Sequence, residues 1–175
     1  MVVSWQDFEQ AQPALADFGK KRIDGKVAYL ATNSSENGAG LAEGIWPRVR
    51  PITAIIGAGK CYVFFDPDSR RIQDIESSNR FSLHCGMSDS SGSSGEFQMT
   101  GLARRVESSE ERAAAESVSS FMPAGRFQLF ELMLCSAVST AYKGGRAQRQ
   151  HWSADSASTP PARFNPLVML ACQKK

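Results

Sequence analysis

The chain has 175 residues, 42% of them hydrophobic and 22% charged, with a formal net charge of +2. That length fits one domain, 1–175, able to bury roughly 70% of its unfolded surface. The near-neutral charge offers no general attraction for nucleic acid or an anionic membrane, so any anion site must be local.

The four cysteines, Cys61, Cys85, Cys135 and Cys172, form no C-x-x-C pair, so they signal neither a zinc site nor a thioredoxin-type site; free thiols fit a reducing, cytoplasmic setting. The chain shows no basic stretch followed by an apolar leader, and no apolar run near the ~20 residues of a bilayer span, so neither secretion nor membrane insertion is expected.

From Ser4 to Lys21, Trp5, Phe8, Leu15 and Phe18 recur at roughly helical spacing behind a Ser4 cap. Pro13 splits the segment into two short helices, because an interior proline removes a hydrogen bond and clashes with the preceding turn. The aromatic side chains are expected in the core. Lys26–Thr32 is the first strand, apolar on both faces, and the polar loop NSSENGAGLAEG follows it. Pro47–Ile56 and Lys60–Phe65 flank Gly57–Ala58–Gly59 and predict an antiparallel hairpin.

A short helix opens after Ser69 with Ile72 and Ile75 toward the core, and RFSLHCG gives the next strand. Ser88–Gly95 is expected to be a flexible connection. Glu96–Val106 is a long strand in which Gly101 marks a bulge or a close backbone approach, with Arg104 and Arg105 in solvent at its end. Ser108 and Glu111 form a capping-box pattern that opens a helix. Arg126–Tyr142 is one long strand or two short ones, and the Pro-, Ser- and Ala-rich Ser153–Pro166 is expected to be extended or mobile. Strands in hairpins with helices in the excursions predict an α+β protein, mainly β, whose antiparallel sheet closes or nearly closes into a barrel with peripheral helices.

Ser69, Arg70 and Arg71 occupy a helix start, where the macrodipole is already positive and acidic residues are preferred. Unpaired N–H groups, a hydroxyl and two guanidinium groups together suit a phosphate. The competing reading has Asp66 and Asp68 cap the helix and pair with Arg70 and Arg71 at the surface. Arg48 and Arg50 lie two apart on one strand face, just before the hairpin that leads to this turn. Two basic clusters that a hairpin can bring together favour the anion site.

The ordered set RVRPIT, YVFFDPDSRRIQDIESSNRFSL and GEFQMTGLARRV, spanning Lys26 to Glu107, resembles the pyridoxamine 5′-phosphate oxidase-like family of FMN-binding split β-barrels, including its general stress protein 26-like branch. The resemblance implies an antiparallel split β-barrel, an FMN cofactor, and hydride transfer to or from a small-molecule substrate or electron donor. It also implies a homodimer with the flavin between subunits. Carried over by position, it assigns the phosphate to Arg50, Ser69, Arg70 and Arg71. Pro51, Ile52, Thr53, Phe65 and Asp66 would line the flavin, and Glu96 would meet the ring edge.

Arg71 stands where the family has lysine, and Glu96 stands where it often has glutamine, leaving an acceptor without the amide donor. Tyr142–Trp152 matches the family's Trp-x-Gly-Arg … Arg-x-His region only with Tyr142 for tryptophan and one of Gly144 and Gly145 as an insertion, and VMLACQKK lacks the Leu-Ala-Pro ending. The resemblance therefore implies the fold and cofactor class rather than vitamin B6 chemistry.

A deazaflavin (F420)-dependent reductase and a flavin sensor without turnover are the alternatives on the same fold. A haem-binding barrel would have only His84 and His151 as imidazole ligands. A barrel for single-stranded nucleic acid would need more positive charge. No Ser-His-Asp set, carboxylate pair or metal-ligand spacing stands out.

Overall fold

The structure, a computed structural model, describes residues 1–33, 46–87 and 89–155. Cys172, most of the polar loop after the first strand and the tail from 156 lie outside them. Helix α1 (Trp5–Ala11) is closed by a capping box between Ser4 and Asp7, and α2 (Pro13–Ile23) begins on Pro13 itself. The proline starts a helix rather than bending one, since its missing N–H falls among donors that have no intrahelical partner.

Among the described residues eight strands follow in chain order: β1 (Val27–Asn33), β2 (Pro47–Thr53), β3 (Ile55–Gly57), β4 (Lys60–Phe65), β5 (Arg80–Cys85), β6 (Glu96–Val106), β7 (Gln128–Lys143) and β8 (Arg146–Ser153). Helix α3 (Arg70–Ser78) joins β4 to β5, and α4 (Ser109–Ser117) lies between β6 and β7. Their order in one antiparallel sheet is β2-β1-β5-β6-β7-β4-β3, with β8 also on β7. The segment Arg126–Tyr142 thus resolves as one long strand, which pairs with β4 near its start and with β8 near its end.

The single strand expected over Pro47–Ile56 is two. β2 pairs with β1 and β3 with β4, and Ala54 between them bridges to Asp24. The chain exchanges partners at Ala54, held there by Ile56 N–H donating to Asp24 Oδ1 at 2.8 Å. Among the described residues the sheet ends on β2 and β3 without a ladder between them, so it is a split barrel and not a closed one.

Alternation along the strands gives the sheet two faces. Ala28, Leu30, Leu83, Phe97, Met99 and Ala137 point inward onto Trp5, Phe8, Leu15 and Ile23 of the two N-terminal helices, all buried, with Phe18 partly buried beside them. Gly101 sits where the β6–β7 register shifts, and a Cβ there would come within 1.7 Å of the Met133 carbonyl oxygen. Bulge and close approach coincide at this residue.

Two local expectations gain detail in three dimensions. Arg104 and Arg105 are exposed, as expected, but both are paired: Arg104 lies directly across from Glu131 on β7, donates to that buried carboxylate through Nε at 3.1 Å, and reaches Glu111 at 2.8 Å. Arg105 pairs with Glu76 of α3 at 2.9 Å. The serine-rich connection is gathered by Asp89, whose carboxylate accepts from the Ser91 hydroxyl and from the N–H groups of Ser93 and Ser94. Among the described residues no helix is long and apolar enough to cross a membrane.

Candidate functional site

A cleft of about 280 Å³ opens where β2 faces the end of β4 and the start of α3. Val27, Pro51, Ile52 and Thr53 form one wall, Phe64, Phe121 and Phe127 the other, and Arg71 contributes its charge. The aromatic wall is braced from below. Phe64 meets Phe121 edge to face with centroids 6.4 Å apart, and the Arg112 guanidinium lies 5.4 Å from the Phe64 ring. Arg112 also donates to the carbonyl oxygen of Phe127 at 2.6 Å, which ties the segment after α4 to the helix.

The opening turn of α3 accounts for the basic end. Ser69 is its N-cap, with the side-chain oxygen accepting from Arg71 N–H at 3.3 Å, and the first turn carries no acidic side chain. Asp66 accepts from Asp68 N–H and pairs with Arg126, so the surface salt-bridge reading loses Asp66 as a partner for Arg71.

Among the described residues no carboxylate is within ion-pair distance of Arg71, while Arg50 is close enough to act on it electrostatically. Burial, and then the Arg50 charge, hold the Arg71 pKa below the usual arginine value. The guanidinium stays protonated, so it is a partly buried cation with a second cation near it, an arrangement that an anion would stabilise.

Arg50 and Arg48 extend from the same face of β2, as their spacing required, and both reach Asp74 on α3, at 3.1 and 3.5 Å. The structure therefore brings Pro51, Ile52, Thr53 and Arg71 into one cleft, with Arg50 beside it and Ser69 capping the adjoining helix. Arg70 begins the same helix.

Other expected positions lie elsewhere. The Phe65 ring is 1% exposed and packs on Phe130 in the core, because adjacent strand residues face opposite ways and it is Phe64 that reaches the cleft. Asp66 is a turn residue. Glu96 is on the outer sheet face, where its carboxylate lies 3.3 Å from His84 Nε2. His151 is exposed on β8.

The sequence reading missed Phe64, Phe121, Phe127 and Asp74. Aromatic residues flanking Pro123 and Gly125 in a loop were a signal for the second and third. Asp74 could have been noticed as an acid beside Ile75 on the apolar side of a short helix. Burial raises the pKa of both buried cysteines, Cys61 and Cys85, and Cys85 Sγ accepts from Phe97 N–H.

No protein-family model and no curated protein matches the sequence. Solved structures do match. A protein from Clostridium acetobutylicum related to general stress protein 26, of the pyridoxinephosphate oxidase family, superposes with TM-score 0.53 at 11% identity, over 86% of this chain and 97% of the other. The fold is the split β-barrel of pyridoxine phosphate oxidase-like proteins.

The same split barrel occurs in an FAD-binding protein from Mycobacterium smegmatis, with TM-score 0.51 and 11% identity over 78% of this chain and 96% of that one. It occurs also in a haem-binding protein from Mycobacterium smegmatis, with TM-score 0.55 and 18% identity over 74% of this chain. Of that haem-binding protein the chain spans 55%.

Proposed function

We propose that this chain is an FMN-binding flavoprotein that serves as an oxidoreductase on a small molecule, with the flavin phosphate held between Arg71, Arg50 and the N-terminus of α3. The observation that carries this reading is Arg71: a partly buried guanidinium beside a second one, without a carboxylate partner among the described residues, at an apolar and aromatic cleft. Anions bind well at helix N-termini, and charge-assisted bonds from guanidinium groups strengthen such a site.

The residues present fit the cofactor. Pro51, Ile52 and Thr53 oppose Phe64, Phe121 and Phe127, surfaces suited to a planar ring, while the basic end suits a phosphate. When bound, FMN supplies hydride transfer; the chain's own contribution is to bind, orient and exclude water. The likeness to an FAD-binding protein supports a flavin over other phosphorylated ligands.

A homodimer belongs to the same proposal. A volume of about 280 Å³ falls just below the usual span of ligand pockets, which begins at roughly 300 Å³. The wall containing Val27 and Pro51 continues onto the exposed outer face of β1 and β2, where Tyr29 and Val49 are also uncovered. A second copy seated on that face would deepen the cleft and bury its apolar rim.

The decisive measurement is an absorption spectrum of the purified protein with mass spectrometry of any small molecule released by heat, followed by FMN titration of the wild type and Arg71→Ala. The expected result is bound or readily acquired FMN, with affinity reduced about tenfold or more by Arg71→Ala, the loss of one charge-assisted bond. F420 in place of FMN would keep the phosphate anchor and change the chemistry. A haem spectrum, or failure to take up FMN, would overturn the flavin reading. Flavin that neither nicotinamide nucleotides nor artificial donors reduce would leave a sensor in place of an enzyme.

A further inference from the structure

We propose that Asp74 is a positioning residue for the anion site: its buried carboxylate holds the Arg50 guanidinium in place beside Arg71. This rests on the phosphate reading above and goes beyond it to a residue that would not itself touch the ligand.

Asp74 is 1% exposed, and a buried carboxylate is costly unless paired. Its partners come from two different strands. Oδ2 accepts from Arg50 Nη1 at 3.1 Å and from the Thr32 hydroxyl at 3.5 Å, while Oδ1 faces Arg48 Nη1 at 3.5 Å. One carboxylate on α3 thus joins β1 and β2 to the helix whose first turn carries Arg71.

This linkage has a purpose that fold stability alone does not require. Arg50 and Arg71 repel each other, and a free arginine side chain has about 2 kcal/mol of rotamer entropy favouring its release. Left untethered, Arg50 would turn toward water and away from Arg71. Asp74 opposes both tendencies. It also lies three residues after Arg71 on the same helix, so α3 presents one guanidinium directly and fixes the other at a set separation. The planar guanidinium has five donors in a rigid fork, so Arg50 can bond Asp74 through one nitrogen and still offer others to a phosphate. A lysine ammonium lacks that fork.

Coulomb's law alone assigns Asp74 the opposite effect. A negative charge behind the site weakens anion binding through space, so neutralising it would tighten FMN if field were all that mattered. Positioning predicts weakening. A plain cross-link between helix and sheet predicts loss of stability with no change in preference for the phosphate.

The test titrates FMN and riboflavin, which lacks the phosphate, against wild type, Asp74→Asn and Arg50→Lys, with urea unfolding of each. The expected outcome is that wild type prefers FMN, and that each variant loses about tenfold of FMN affinity while its riboflavin affinity is unchanged. Tighter FMN binding by Asp74→Asn, equal weakening toward both flavins, or a wild-type FMN preference in Arg50→Lys would each overturn the role of Asp74. If Asp74→Asn does not fold, Asp74→Glu, which keeps the charge but displaces it by one methylene, takes its place: a wild-type FMN preference in it would overturn the role of Asp74. A wild type that binds FMN no better than riboflavin would overturn the phosphate site itself, and the positioning role with it.

Discussion

Phe64 and Phe65 share a strand and divide two tasks between its faces. Phe65 packs against Phe130, their ring centroids 5.7 Å apart, within the main core, whereas Phe64 stands in the cleft wall between Phe121 and Arg112. Replacing Phe65 with alanine should cost about 3–5 kcal/mol of stability, as buried phenylalanine truncations do. Phe64→Ala should cost less and should lower flavin affinity. Urea unfolding and FMN titration of both variants separate the effects; equal stability losses would contradict the division. Nothing in KCYVFF announces which ring faces inward, because the strand is apolar from Cys61 to Phe65 and carries no alternation. Ser69–Arg71 was legible for the opposite reason, since positive side chains at a helix start conflict with the macrodipole and so demand an explanation.

Helix α4 shows the same contrast between elements. Its start was legible locally: Ser108 caps it, accepting from Glu111 N–H at 3.2 Å. The Glu111 carboxylate instead reaches across to Lys60 at 3.1 Å and Arg104 at 2.8 Å, and both cations also approach the buried Glu131. These partners are distant in sequence, and only the pairing of β6 with β7 and the approach of β4 create them, so no reading of Arg104 from its neighbours could place it. The hydrogen bond to Lys60, then that to Arg104, holds the Glu111 pKa below the usual glutamate value. A depressed pKa in the folded state means stability that is present above the unfolded value of about 4.3 and lost as pH falls through the folded one. Glu111→Gln should therefore be less stable than wild type near neutrality, and the gap should narrow as the medium becomes acidic. Denaturant unfolding of both proteins across the acid range checks this; a constant gap would show that the carboxyl contributes shape and no charge.

At the scale of the whole molecule, the outer sheet face has a polarity gradient that no single strand displays. Pro51, Tyr29, His84, Gln98, Val138 and His151 stand in register across β2, β1, β5, β6, β7 and β8. The β2–β1 end is apolar and open, with Val49 64% and Val27 59% exposed, and it borders the cleft. The middle of the face bears the His84–Glu96 pair on β5 and β6, and the far end bears Arg149 and His151 on β8. Exposed apolar patches continuous with a ligand cleft mark interaction surfaces, and the small net charge of +2 puts little repulsion in the way of self-association. A two-fold dimer through the apolar end would use the same patch on both copies and complete two equivalent clefts. Because Val49 is uncovered in the single chain, Val49→Asp should leave folding intact while placing a charge in the contact. Light scattering should give twice the chain mass for wild type and the chain mass for Val49→Asp, with flavin affinity falling in parallel. A wild type that is monomeric yet binds flavin fully would show that one chain completes the site unaided, and a dimeric Val49→Asp would move the interface to another face of the barrel.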